Sequence, residues 1–173
     1  MAAYSATMTA VLVTGMSGTG KSTALAELAR RGHRVVDTDY GDWCEDVPHP
    51  ERGSERLWRE DRMDALLAEP ADGALFVSGC VANQGSFYPR FDAIVLLSAP
   101  VDVLLARVAS REINDYGKTD AERALVLSDF RAVEPLLRAG ATAEIDAREP
   151  VHEVADLLES IAGVSGSPTP RGP

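Results

Sequence analysis

The stretch GMSGTGKS, residues 15–22, follows the apolar run Ala10-Val11-Leu12-Val13-Thr14 and leads into the helix-prone Thr23-Ala24-Leu25-Ala26-Glu27-Leu28-Ala29. Its spacing is G-x-x-x-x-G-K-S, and each residue type in that pattern has a mechanical job. Gly15, Gly18 and Gly20 let the chain curl so that successive backbone N–H groups face one phosphate, at the positive end of the helix that follows. Ser17, Thr19 and Thr23 belong to the same wrap. Lys21 can reach β- and γ-phosphate oxygens, and the Ser22 hydroxyl can ligate Mg²⁺. A chance glycine-rich turn would lack both the strand before it and the helix after it. A chain built around this loop is expected to bind ATP or GTP.

Apolar or β-branched runs alternate with amphipathic stretches along the rest of the chain. The pattern predicts strands at 9–14, 34–37, 74–78, 92–97 and 142–146, and helices at 21–31, 54–69, 101–111, 120–139 and 150–162. Ala10-Val11-Leu12-Val13, Leu75-Phe76-Val77 and Ile94-Val95-Leu96-Leu97 are continuously apolar, as strands covered on both faces are. The expected class is therefore α/β, a parallel sheet with helices on both faces. At 173 residues the chain suits one domain, expected over 9–162, with a loose N-terminus over 1–8. The Pro-, Gly- and Ser-rich residues 163–173 are expected to be a disordered tail.

Composition removes several function classes. Seventeen Lys and Arg stand against 27 Asp and Glu, a formal charge of −10, which leaves no footprint for nonspecific nucleic-acid or anionic-membrane binding. Apolar runs fall short of a membrane span, and the two cysteines, Cys44 and Cys80, lack metal-ligand spacing. A cytoplasmic protein, monomeric or dimeric, is the expectation.

Four clusters carry candidate chemistry. The strand in HRVVDTDYGDW ends on Asp37 and Asp39, at the edge where open parallel sheets collect ligands. Either both are solvated turn residues, or Asp37 holds Mg²⁺ through water and Asp39 orients or deprotonates a substrate hydroxyl. Arg107 and Arg111 lie four apart at a helix end, before a polar segment, about 112–120, with the composition of a lid. Arg52, Arg56, Arg59 and Arg62 crowd a substrate-binding region at about 40–70, as surface ion pairs or, for Arg59, as an anion ligand. In FVSGCVANQGSFYPR, Gly79 and Cys80 end a buried strand at the same edge, and Asn83 and Gln84 bring uncharged donors and acceptors. They serve either turn chemistry or substrate.

With these pieces in this order, residues 9–162 resemble the shikimate kinase, gluconate kinase and nucleoside monophosphate (adenylate) kinase group of small P-loop phosphotransferases. VVDTD resembles the Asp-x-Asp of shikimate kinases, and FDAIVLLSAPVDVLLARVASR resembles the strand and Arg-x-x-x-Arg helix before the lid of adenylate kinases. FRAVEPLLRAGATAEIDAREPVHEV resembles the group's last helix, strand and adenine-side loop, which carries Arg148. The resemblance implies a three-layer P-loop kinase fold with five parallel strands in the order 2-3-1-4-5. It implies phosphate and magnesium roles for Lys21 and Ser22, a metal-water role for Asp37 and a substrate role for Asp39. It also implies Arg107 against adenine, Arg111 or Lys118 at the phosphates, and Arg131 at substrate or phosphate. The chain departs from shikimate kinases in having SGCVANQG in place of a triple glycine. The expected activity is ATP- and Mg²⁺-dependent transfer of the γ-phosphoryl group to a small hydroxyl-bearing acceptor. A nucleoside monophosphate kinase and a regulatory NTPase acting on a protein partner stand as alternatives.

Overall fold

The computed structural model describes residues 8–110 and 119–164. Thr9–Thr14 (β1) runs into the glycine-rich loop and then Lys21–Arg30 (α1), followed by Arg34–Asp37 (β2). An antiparallel ribbon comes next, Cys44–His49 (β3) and Gly53–Trp58 (β4), then Glu60–Ala68 (α2) and Ala74–Ser78 (β5). A 3₁₀ helix over Gln84–Arg90 leads to Ala93–Ser98 (β6) and Val101–Ala109 (α3). The chain then continues through Asp120–Gly140 (α4), Ala143–Asp146 (β7) and Val151–Ala162 (α5).

Five strands pair in parallel in the order β2-β5-β1-β6-β7, which in terms of the five expected strands is 2-3-1-4-5. The continuous apolar runs explain it. Alternate residues of β1 feed opposite faces: Val11 and Val13 join Leu25, Leu28, Val154, Ala155 and Leu158 from α1 and α5, while Ala10 and Leu12 join Trp58, Met63, Leu66 and Phe87 on the other side. Every strand of the sheet ends on a polar residue, Thr14, Asp37, Ser78, Ser98 or Asp146, so the carboxyl edge is polar while the interiors of β1, β5 and β6 are dry.

One expected element is corrected. The helix at 54–69 is a helix only over Glu60–Ala68, and the preceding residues are β4. Pro48 and Pro50 break any helical continuation upstream, and the ribbon pairs Asp46 with Arg56 (Arg56 Nη1 to Asp46 Oδ2, 3.6 Å) across the strands. Arg52, Arg56 and Arg59 fall in the ribbon turn, on β4 and at the N-cap of α2. The lid region falls mostly on residues 111–118, which lie outside the described residues, as do 1–7 and most of the expected tail. Among the described residues no helix is long and apolar enough to cross a membrane.

Candidate active site

The loop after β1 wraps tightly because its glycines allow it. Gly20, the N-cap of α1, has φ of 84°, and a Cβ there would meet nothing within 4 Å, so the inside of the wrap is open. Gly15 is pinned from outside, since a Cβ there would come within 2.5 Å of the Leu97 carbonyl oxygen. Lys21 folds back over the loop and donates from Nζ to the carbonyls of Gly15 (2.7 Å) and Met16 (3.2 Å). Ser22 Oγ donates to Asp37 Oδ2 at 2.5 Å, bringing a hydroxyl and a carboxylate from two elements to one point. The Asp39 N–H in turn donates to Asp37 Oδ1 at 3.1 Å.

This donor set fits Mg²⁺. Two hard oxygens from the protein, with the remaining positions left to water and phosphate, is how that ion is usually held. Among the described residues no group of three or more His, Cys, Asp and Glu forms a metal cage.

Beside the loop, a cavity of about 400 Å³ is lined by Gly18, Thr19, Gly20, Thr23, Arg107 and Ala147, with Val151 and Val154 of α5 among the apolar walls. Arg107 spans it, donating from Nη1 to the Gly18 carbonyl (3.2 Å) and from Nη2 to that of Ala147 (2.8 Å). A flat guanidinium over an apolar-walled cavity is suited to stack on a planar ring. Ser17 is exposed at the rim of the loop. The Arg148 side chain pairs with Asp146 (2.6 Å) and lines a second cavity with Ser98, Phe130, Glu134, Arg138 and Glu144.

On the other side of the loop the expected substrate residues divide. Asp39 is exposed, two residues from Asp37. Burial pushes the Cys80 thiol up, against the Lys21 ammonium and with the Asp39 and Asp129 charges adding to the rise. Arg131 is exposed on α4, and Arg111 lies outside the described residues. Arg59 is held by Asp42 at 2.6 Å, and Arg62 by the other oxygen of the same carboxylate at 2.6 Å.

Gly79, Asn83 and Gln84, expected to serve either turn chemistry or substrate, make close contacts within the fold. A Cβ on Gly79 would lie 2.5 Å from Thr38 Oγ1 and 2.9 Å from Trp58 Cζ2. Both ends of the Asn83 amide are taken by Trp58, whose N–H donates to Oδ1 (2.9 Å) and whose carbonyl accepts from Nδ2 (3.0 Å). Gln84, 3% exposed, donates to Thr14 Oγ1 (3.1 Å) and Tyr88 Oη (2.9 Å) and accepts from the Val81 N–H (3.0 Å). Sequence reasoning missed Thr38, Trp58 and the Asp42 clamp. Only the Asp-Thr-Asp triplet itself gave a signal, by placing Thr38 between two candidate carboxylates.

A family model described as an AAA domain matches residues 11–128. Among solved structures, the shikimate kinase from Acinetobacter baumannii in complex with shikimate superposes with a TM-score of 0.63 at 19% identity, over 91% of this chain and 95% of that one. Shikimate kinase from Bacteroides thetaiotaomicron gives 0.61 at 21% identity, over 91% and 99% of the two chains. A gluconokinase from Sinorhizobium meliloti 1021 gives 0.57 at 19% identity, over 91% and 93%. No curated protein sequence matches the chain. The fold is that of the small P-loop kinases, and by the match over residues 11–128 the chain belongs to the AAA-domain family.

Proposed function

We propose that the protein is an ATP- and Mg²⁺-dependent kinase that transfers the γ-phosphoryl group to a hydroxyl of a small polar metabolite. One observation carries the reading: the Ser22 hydroxyl meets the Asp37 carboxylate at 2.5 Å beside the loop lysine, with a second carboxylate, Asp39, two residues on. Ser22 and Asp37 hold Mg²⁺, which when bound offsets charge on the phosphate oxygens. The backbone N–H groups of Gly15 to Thr23 receive the phosphates, and the Lys21 ammonium exchanges the Gly15 and Met16 carbonyls for β- and γ-phosphate oxygens. Arg107 and the cavity beside it take the adenine. Asp39 accepts the acceptor's hydroxyl proton as that oxygen bonds to the γ-phosphorus and the bond to the β–γ bridging oxygen breaks, releasing ADP. Arg131 and Arg111 supply positive charge to the transferring group.

The Asp42 clamp favours a hydroxyl acceptor over a nucleoside monophosphate, because a phosphate acceptor needs arginines and has no proton to lose. Arg59 and Arg62 are engaged with Asp42, and the acceptor region, 40–70, carries nine carboxylates against four arginines.

The test is ADP release from MgATP, alone and against a panel of shikimate, gluconate, aminoglycoside-type alcohols and nucleoside monophosphates. Release that depends on one hydroxyl acceptor is expected, and Lys21→Ala should lower it by about a hundredfold or more, as loss of a transition-state charge contact does. Asp39→Asn should lower kcat with ATP affinity kept. Acceptor-independent release that no panel member accelerates would overturn the kinase reading and favour an NTPase that acts on a protein.

A further inference from the structure

Thr38 stands between the two carboxylates and is fully buried while Asp39 beside it is exposed. It is fixed twice to the end of β5: its N–H donates to the Ser78 carbonyl at 3.0 Å, and its Oγ1 donates to the same oxygen at 2.7 Å. That leaves the hydroxyl oxygen as an acceptor, and the indole N–H of Trp58 fills the position at 2.9 Å. Trp58, 1% exposed, is itself immobilised by the Asn83 amide on its backbone and by an edge-on contact with Phe87, ring centroids 5.6 Å apart. It is also the last residue of β4, and the next N–H, that of Arg59, donates to the Trp43 carbonyl at 2.8 Å. The root of the ribbon and the Asp37–Asp39 segment are therefore one hydrogen-bonded unit, and the bare face of Gly79 leaves room for the joint.

A tryptophan used only as core filler needs a partner for its N–H, but a backbone carbonyl would serve. Here the partner is the side chain that separates the residue bonded to Ser22 from the residue proposed as base. We propose that Trp58 is a positioning residue: its indole, acting through Thr38, sets the placement of Asp37 and Asp39 and ties it to the β3–β4 ribbon. This rests on the kinase reading for the roles of the two carboxylates. Occupation of the Ser22–Asp37 point by metal and nucleotide is thereby felt at Trp58, and displacement of the ribbon is felt at the carboxylates.

The chain has two tryptophans, so Trp43→Phe leaves Trp58 as the single indole reporter. In that full-length background, adding Mg²⁺ with a non-hydrolysable ATP analogue should shift Trp58 emission. Thr38→Ser should keep the shift, and Thr38→Val should lose it while calorimetry still finds the analogue bound. In slow ADP release with water as acceptor, Trp58→Phe and Thr38→Val should each lower kcat about tenfold, the size expected of a small misplacement of catalytic groups, with KM for ATP kept. The double variant should be no slower than either single one. Full emission response and full kcat in Thr38→Val would overturn the proposal, as would losses that vanish when rates are corrected for the folded fraction. If the analogue fails to bind the parent chain at all, the nucleotide reading falls with it, a result separable from binding without response.

Discussion

At the scale of single residues, the site depends on the absence of a side chain as much as on the side chains present. Gly79 lets Thr38 and Trp58 approach each other, and Gly79→Ala forces a methyl to 2.5 Å from Thr38 Oγ1 and 2.9 Å from Trp58 Cζ2. Neither neighbour can retreat, because Thr38 is bonded to Ser78 and Trp58 to Asn83. The substitution should cost about 1–3 kcal/mol, as overpacking does, read as a lower urea midpoint. Gly85→Ala, where a Cβ meets nothing within 4 Å, should stay within about 0.5 kcal/mol. Equal midpoints for the two variants would show that the joint is looser than described. The phosphate loop was legible in the sequence because the bonds that shape it are local: Lys21 reaches back to Gly15 and Met16. Asn83 and Gln84 were visible as amides but their use was not, since Trp58, which takes both ends of Asn83, is 25 residues away and Thr14, one of the Gln84 partners, is 70 away.

At the scale of elements, the sheet was readable and the β3–β4 ribbon was not. Leu75-Phe76-Val77 has only one use in a domain of this size, a strand covered on both faces. ERLWRE at 55–60 has helix-forming residues throughout, and local propensity prefers a helix there. The ribbon wins because Trp58 reaches the core at the end of β4 and the cross-strand pairs with β3 follow from that anchor. This is tertiary packing overriding propensity. Helix α4 shows the opposite case, in which a local signal sets the boundary. Thr119 Oγ1 accepts from the Glu122 N–H at 3.2 Å, and the Glu122 carboxylate accepts from the Thr119 N–H at 3.1 Å, a reciprocal capping box. Thr119→Ala removes one half of it and should lower stability by about 1 kcal/mol, while Thr119→Ser should restore the parent midpoint in the same denaturation series. A full-strength Thr119→Ala chain would mean that packing along the 21 residues of α4 alone fixes its start.

At the scale of the whole molecule, charge ties distant parts together in ways the linear sequence hides. Arg31 closes α1 against α5, donating to Glu27 (2.9 Å), to Asp156 (2.6 Å), to Glu159 (2.8 Å) and to the His152 carbonyl (3.0 Å), three of these partners lying more than 120 residues on. Hydrogen bonds from Arg30 and then Arg31 hold the Glu27 carboxyl down from 4.5 to about 2. Arg148 does the same for Asp146, from 3.8 to about 2. The Glu149 carboxyl is pushed the other way by its contact with Glu153. The signs decide the shape of the stability curve. A carboxyl held down in the fold takes up protons more readily when unfolded, so the stability from Glu27 and Asp146 is fully present above about pH 4.5 and is lost as pH falls towards about 2. Glu149 runs opposite, since its ionised form is disfavoured in the fold, and protonating it on the way down from neutrality relieves the repulsion. With a formal charge of −10 at pH 7, modest acidification also lessens self-repulsion. The urea midpoint should therefore hold or rise between pH 7 and about 5 and fall below about 4, with 0.5 M NaCl flattening the part of the acid limb that comes from the exposed Asp146–Arg148 pair. Glu27→Gln should lower the midpoint at pH 7 and fall less steeply between pH 4.5 and 2, so that the two curves converge at the acid end. Parallel curves for parent and Glu27→Gln would show that the α1 pair contributes nothing to acid sensitivity, leaving Asp146 and the remaining carboxylates to account for it.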